Sequence, residues 1–136
     1  MNDRCLYRAK RKNWRELPKE MWWVEGYYAY MQPYHYIMPK DNFDSRIEID
    51  EKTLCACTGL KDKNGKLIWE NDILVGYLDD MYPENATYAQ VIWDKNGFYT
   101  KEQDSDDISL MDEFDEKYFE VCGNIFDNPE LLEVGE

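Results

Sequence analysis

The chain has 136 residues, a formal net charge of −13 at pH 7 and a mean hydropathy of −0.79. Its length fits one compact domain, or a small core with an extra sheet layer, and its charge repels nucleic-acid phosphates at long range. With 43% hydrophobic and 15% aromatic residues it is not a disordered polymer.

The N-terminus shows no apolar signal segment and the chain no apolar run long enough for a bilayer, so a cytoplasmic, reduced protein is expected, with no membrane association. Cys5, Cys55, Cys57 and Cys122 are then free thiols. The charge is uneven: Arg4, Arg8, Lys10, Arg11, Lys12, Arg15 and Lys19 crowd the head, while Glu102 to Glu136 is strongly acidic.

Cys5–Ala9 is short and β-compatible. Lys10–Lys19 is charged, broken by Asn13 and ended near Pro18, and reads as a loop. Met21–Met31 is rich in Trp, Tyr and Val and reads as strand, with Glu25-Gly26 as a bulge or a break into two strands. Tyr34–Met38 between Pro33 and Pro39 is a second strand. Arg46–Asp50 alternates, placing Ile47 and Ile49 on one face. In Leu54–Cys57 the thiols of Cys55 and Cys57 share a face and act as small apolar groups.

Thr58–Leu74 holds an Asn64-Gly65 pair, suited to a primed hairpin turn, before the strand Leu67–Trp69. A polar corner, Glu70-Asn71-Asp72, leads into Ile73–Val75. Asp79–Asn85 is a loop. Tyr88–Trp93 and Phe98–Thr100 flank a second Asn-Gly, Asn96-Gly97, the clearest hairpin in the chain. Ile108–Met111 is a brief apolar run, and Asp112–Lys117 a turn or short helical stretch. Phe119–Phe126 is a last strand with a bulge at Gly123. Asn128 caps a short helix starting at Pro129.

Many short strands with turn signals between them predict a mainly β fold. The expected form is a small SH3-like or related β-barrel with an N-terminal β-hairpin layer and a short C-terminal helix. Residues 1–45 form the hairpin layer and residues 46–136 the barrel core.

Catalytic patterns do not emerge. His35 stands alone between Tyr34 and Tyr36, with no neighbouring nucleophile or orienting group. Paired acids such as Asp79-Asp80 and Asp106-Asp107 are what so acidic a chain supplies by coincidence, although carboxylate binding of Ca²⁺ or Mg²⁺ stays open. Asp104-Ser105-Asp106 lacks the rest of a calcium loop, and no glycine-rich loop ends in Lys-Ser or Lys-Thr. No enzyme activity, cofactor or metal is expected.

The strongest interaction signal is aromatic: Trp22, Trp23, Tyr27, Tyr28, Tyr34 and Tyr36, together with Tyr30. One-sided burial of a sheet exposes about half of such rings. They form the candidate interaction surface, with the acids from Glu102 to Glu116 favouring a basic partner.

Thr58-Gly59-Leu60-Lys61-Asp62-Lys63-Asn64-Gly65-Lys66, continuing through Ile68-Trp69-Glu70-Asn71-Asp72-Ile73, resembles the YopX family of small phage and prophage proteins. Asn71 stands where the family usually has Gly, and Asn also tolerates positive φ. Leu6–Arg11, with Ala9 in place of Gly, is similar to the family's opening motif. Trp23–Tyr28 is similar to its next, and Glu120–Leu132 to its terminal signature, with Cys122 where an apolar residue is usual. The resemblance implies a small β-rich, phage-encoded protein with no enzymatic activity to transfer. The expected role is that of an accessory protein in a bacterial host cytoplasm, binding a host or phage protein or itself. The alternatives are a nucleic-acid-binding small β-barrel, which the charge opposes, an acidic mimic of nucleic acid, and an enzyme using a carboxylate-bound metal.

Overall fold

The computed structural model describes residues 5–42, 44–77, 86–103 and 105–133. Contacts divide the chain into two units, Met1–Cys57 and Thr58–Glu136.

In the first unit the strands are β1 (Tyr7–Lys10), β2 (Trp23–Met31), β3 (Tyr34–Pro39) and β4 (Ile47–Glu48), followed by the start of β5 (Cys55–Lys61). Their order is β4-β3-β2-β1-β5, and neighbouring strands pair antiparallel. β2 runs unbroken through Glu25-Gly26, so the expected bulge or break is absent. The glycine serves close approach instead: a Cβ on Gly26 would lie 2.1 Å from the Met38 carbonyl oxygen. Lys10–Lys19 is not wholly loop. Lys10 ends β1, and Trp14–Glu16 and Lys19–Met21 are 3-10 turns. The core is Ala9, Val24, Ile37 and Ile49, with Tyr7, Tyr28, Ile47 and Leu54 packed against it. Ile47 and Ile49 share that core, as their alternation predicts. Cys55 and Cys57 are buried at 0% and 1% exposure.

In the second unit the chain continues through the rest of β5 into β6 (Leu67–Trp69). It then runs through β7 (Asp72–Tyr77), β8 (Ala86–Asp94), β9 (Gly97–Glu102), β10 (Ile108–Leu110), α1 (Glu113–Tyr118) and β11 (Glu120–Asn124). Five of these form an antiparallel sheet in the order β10-β9-β8-β7-β11. Ile68, Leu74, Val91, Met111 and Phe119 make its core. The mainly β class holds. Among the described residues the pairings draw two open sheets and no closed barrel. Asp79–Asn85 and Asp104 lie outside the described residues.

Both Asn-Gly turns differ in detail from expectation. In the first, the Asp62 amide donates to the Lys66 carbonyl at 2.7 Å, which leaves a three-residue loop with only Gly65 left-handed, at φ 84°. That is the bulged hairpin loop rather than the two-residue primed turn. Its organiser is Asp62, 5% exposed: one carboxylate oxygen accepts from the amides of Asn64 and Lys66, each at 2.9 Å, and the other from that of Val121 at 2.9 Å. In the second, Asp94 pairs directly with Gly97, and the left-handed residue is Lys95, at φ 57°. Asn71 does take positive φ, at 70°. Gly123 follows the bulge, where Cys122 is the extra residue opposite Leu74 and Ile73. The C-terminal helix is a 3-10 turn, Pro129–Leu132, and the Asn128 side chain does not cap it. It accepts instead from the Asn124 amide at 3.3 Å.

Candidate interaction surface

Register sorts the aromatic residues of the first sheet into two faces. Residues opposite one another in an antiparallel pair share a face. Tyr28 lies opposite Ile37 and Tyr30 opposite His35, while Tyr27 faces Met38, Ala29 faces Tyr36 and Met31 faces Tyr34. Tyr28, Tyr30 and His35 therefore belong to the core side with Ile37. Tyr27, Tyr34 and Tyr36 belong to the other side.

Trp22 and Trp23 are half-buried, and they surround a lysine. The Lys10 ammonium sits 3.8 Å from the Trp14 ring centroid, 4.5 Å from that of Trp22 and 5.6 Å from that of Trp23. Lys10 is only 2% exposed. A desolvated cation over an indole gains about 2 kcal/mol or more, and three rings around one ammonium offset part of the loss of hydration. Polar edges hold the rings: Trp14 Nε1 donates to Asp50 at 3.2 Å and Trp22 Nε1 to the Leu17 carbonyl at 2.9 Å. Arg15 stacks on Trp14, Lys19 on Trp22 and Arg8 on Trp23. Much of the basic head is thus folded onto its own unit's tryptophans. Neither Lys10 nor Trp14 is marked by the sequence as part of such a group, because strand and 3-10 turn must first bring them together.

Tyr28 and His35 join a polar relay. The Tyr28 hydroxyl lies 2.6 Å from His35 Nδ1, and His35 Nε2 lies 2.6 Å from Glu51 Oε2. A neutral imidazole with its proton on Nε2 satisfies both contacts: it accepts from the phenol and donates to the carboxylate. Burial, then the Glu51 charge, pushes the Tyr28 phenol above its ordinary value. That direction keeps the proton on oxygen and opposes activation of a phenolate nucleophile. Glu51 enters from the 3-10 turn Glu51–Thr53, and nothing local in the sequence marks it as the partner of His35.

The exposed aromatic group is at the end of the β2–β3 hairpin. Tyr30 is 55% exposed, Tyr34 47% and Met31 39%. Lys12 lies over Tyr34 at 5.7 Å and Arg46 over Tyr36 at 5.5 Å. Arg46 also donates to the Met31 sulfur at 3.2 Å, and Lys12 pairs with Glu48 at 2.7 Å. An open groove of about 1110 Å³ lies at the far end of the β2–β3 pair, lined by Arg11, Trp23, Glu25, Lys40, Asp41 and Arg46 among others. Of the six candidates, Tyr34 stands out to solvent, Tyr27 and Tyr36 lie half-buried on its face, Tyr28 is tied to His35, and Trp22 and Trp23 enclose Lys10.

The second unit differs sharply in charge. The first has ten Lys and Arg against nine Asp and Glu; the second has six against twenty, so it carries essentially all of the net negative charge. Among the described residues its exposed large apolar side chains are Trp93, Leu110 and Phe114. Among the described residues no three His, Cys, Asp or Glu side chains gather as a metal site, and no helix is long and apolar enough to cross a membrane. The four cysteines are free.

No curated protein matches the chain. The crystal structure of protein EF1440 from Enterococcus faecalis is similar to it at 29% identity, over 66% of this chain and 70% of that one, with a TM-score of 0.46. The family described as YopX protein matches over residues 7–133, nearly the full length read above, and the chain belongs to the YopX family.

Proposed function

We propose that this YopX-family chain is a phage- or prophage-encoded accessory protein that acts without catalysis in the cytoplasm of a bacterial host, by binding a host or phage protein or by assembling with itself. The phage origin rests on the family resemblance. The observation that supports binding is three large side chains left in solvent at one hairpin end, Met31 and Tyr34 on one face of the sheet and Tyr30 on the other. Exposed aromatic and Met side chains beside Arg, as Met31 and Tyr34 are beside Arg46 and Lys12, are the composition of interface cores. The test is affinity capture from host lysate together with light scattering, using the native chain and a Tyr30→Ser, Met31→Ser, Tyr34→Ser variant. A partner or a self-assembled species present with the native chain and lost with the variant supports the reading. A strict monomer that enriches no partner overturns it.

A second reading, nucleic-acid binding, draws support from the Lys12–Tyr34 and Arg46–Tyr36 stacks, since aromatic rings beside cations suit single strands. It predicts affinity that falls steeply with salt. Failure to shift single- or double-stranded DNA or RNA at low salt removes it.

A further inference from the structure

The second sheet has one open edge, and its geometry says which backbone groups it offers. β10 lies at the end of the strand order, paired with β9 in the register Ile108↔Lys101, Ser109↔Thr100 and Leu110↔Tyr99. The Met111 amide donates to the Phe98 carbonyl at 3.0 Å. In an antiparallel ladder hydrogen-bonded pairs alternate, so Met111 and Ser109 bond towards β9 while the N–H and C=O of Ile108 and Leu110 point away from it. The opposite edge of the sheet, β11, is not open in this way: the Val121 amide donates to Asp62, and the Phe119 carbonyl just before the strand accepts from the Lys63 amide at 3.0 Å.

The side chains along β10 are equally specific. Ile108 and Leu110 share the sheet face of their partners Lys101 and Tyr99, and Leu110 is 61% exposed. On that same face a cavity of about 270 Å³ is lined by Gln90, Lys101, Glu102, Asp106 and Leu132, among others. Asp106 and Asp107 precede the strand, Asp112 and Glu113 follow it, and all four are exposed.

We propose that β10 is a docking edge for an extended, basic segment of a partner protein, which adds as a further strand, sets apolar residues beside Ile108 and Leu110 on one face, and carries Lys or Arg that meet Asp106 and Asp107 at one end and Asp112 and Glu113 at the other. Backbone hydrogen bonds supply the affinity of such strand addition and side-chain pockets its specificity. The charge decides the occupant. A second copy of β10 added antiparallel would bring Asp106 and Asp107 of one chain against Asp112 and Glu113 of the other, whereas a basic strand meets acids at both ends. This inference rests on the protein-binding reading above and names a different surface for it.

The probe is a fluorescent peptide of alternating lysine and valine, about ten residues long. Anisotropy is read against the full chain at low salt, and amide exchange is followed by NMR. The expected result is saturable binding with new protection at the Ile108 and Leu110 amides. The same peptide N-methylated at alternate residues keeps its charge but loses its donors, and binds at least about tenfold more weakly. Leu110→Pro removes an outward N–H without touching the β9 ladder and weakens binding to a similar extent. Leu110→Lys, which keeps the N–H but adds a like charge, also weakens it. Equal binding of the two peptides, unchanged binding by Leu110→Pro, protection confined to other strands, or no binding at all would each overturn the proposal. A native dimer that Leu110→Pro makes monomeric would assign the edge to a second copy and overturn it as well. If β10 fails these tests while the Tyr30, Met31 and Tyr34 variant still loses its partner, the protein-binding reading stands without this edge. If the hairpin variant changes nothing while β10 passes, the hairpin surface is the part that is wrong.

Discussion

Replacing Asp62 by Ala removes the acceptor for three backbone amides at once: those of Asn64, Lys66 and Val121, each 2.9 Å from a carboxylate oxygen. A hydrogen bond to a charged group contributes about 1.5–3 kcal/mol, and a buried donor left without a partner costs about 1–3 kcal/mol. Asn64 and Lys66 lie on an exposed turn where water can replace the lost acceptor, so their share is small. The Val121 amide is in a part-buried setting, and its loss carries most of the penalty. The expected sum is about 3 kcal/mol, roughly 10 °C in Tm for a chain of this size. Asp62→Asn is the sharper variant. Its carbonyl oxygen can serve Asn64 and Lys66, but its NH₂ then meets the Val121 N–H donor to donor, so about half of the loss or more should persist. Urea unfolding followed by far-ultraviolet circular dichroism measures both, with the slope m as a check on the unfolded state. A loss below about 1 kcal/mol for Asp62→Ala, with unchanged m, would refute the assignment of Asp62 as the organiser of this corner.

The other expectations use different handles. Lys95 is held at φ 57°, so Lys95→Gly should raise stability by about 0.5–1 kcal/mol, and a lower urea midpoint would refute this. Burial raises the Asp115 carboxyl above its ordinary value, with the Asp112 charge adding to the rise and a backbone hydrogen bond at Asp112 opposing it. The acid form is therefore favoured by folding: its contribution is full below the unfolded value near 3.8 and is lost as pH rises through the folded value. Melting curves from neutral pH down to about 4 should show a gain that Asp115→Asn flattens; parallel pH profiles would contradict the shift. In native-state alkylation Cys5 should react first. Cys122 should follow more slowly, because burial raises its thiol and Sγ turns back to the Ile73 carbonyl. Cys55 and Cys57, both buried, should react only in denaturant, and fast labelling of either would contradict their placement.

Local signals made much of the fold legible. Alternation at Ile47 and Ile49, turn residues at Asn64-Gly65 and Asn96-Gly97, and the Trp- and Tyr-rich run at Met21–Met31 each identify an element that exists, the last as β2. What local signals could not reach is which neighbours those elements acquire. Gly26 reads as a strand breaker until the Met38 carbonyl is seen 2.1 Å from where its Cβ would be. Asn-Gly predicts a turn, but the register across the hairpin decides which residue bears the positive φ. In one loop it is Gly65 and in the other Lys95. His35 stands alone in the sequence because its partners are Tyr28 across the hairpin and Glu51 in a separate turn. The aromatic run identifies a pair of strands, and its residues divide between packing, a polar relay and solvent by strand parity. No composition count resolves that division.

The lysine held among Trp14, Trp22 and Trp23 has an optical consequence. Five tryptophans are present, and three of them share one ammonium, while Trp69 and Trp93 belong to the other unit. A fixed positive charge a few ångströms from an indole shifts its emission through the local field. Trp14 and Trp22, with ring centroids 4.8 Å apart, are close enough to couple as chromophores. The first unit therefore carries its own spectral signature, created by Lys10, that vanishes when β1 leaves the sheet. Unfolding of this unit can be watched by light without attaching any label.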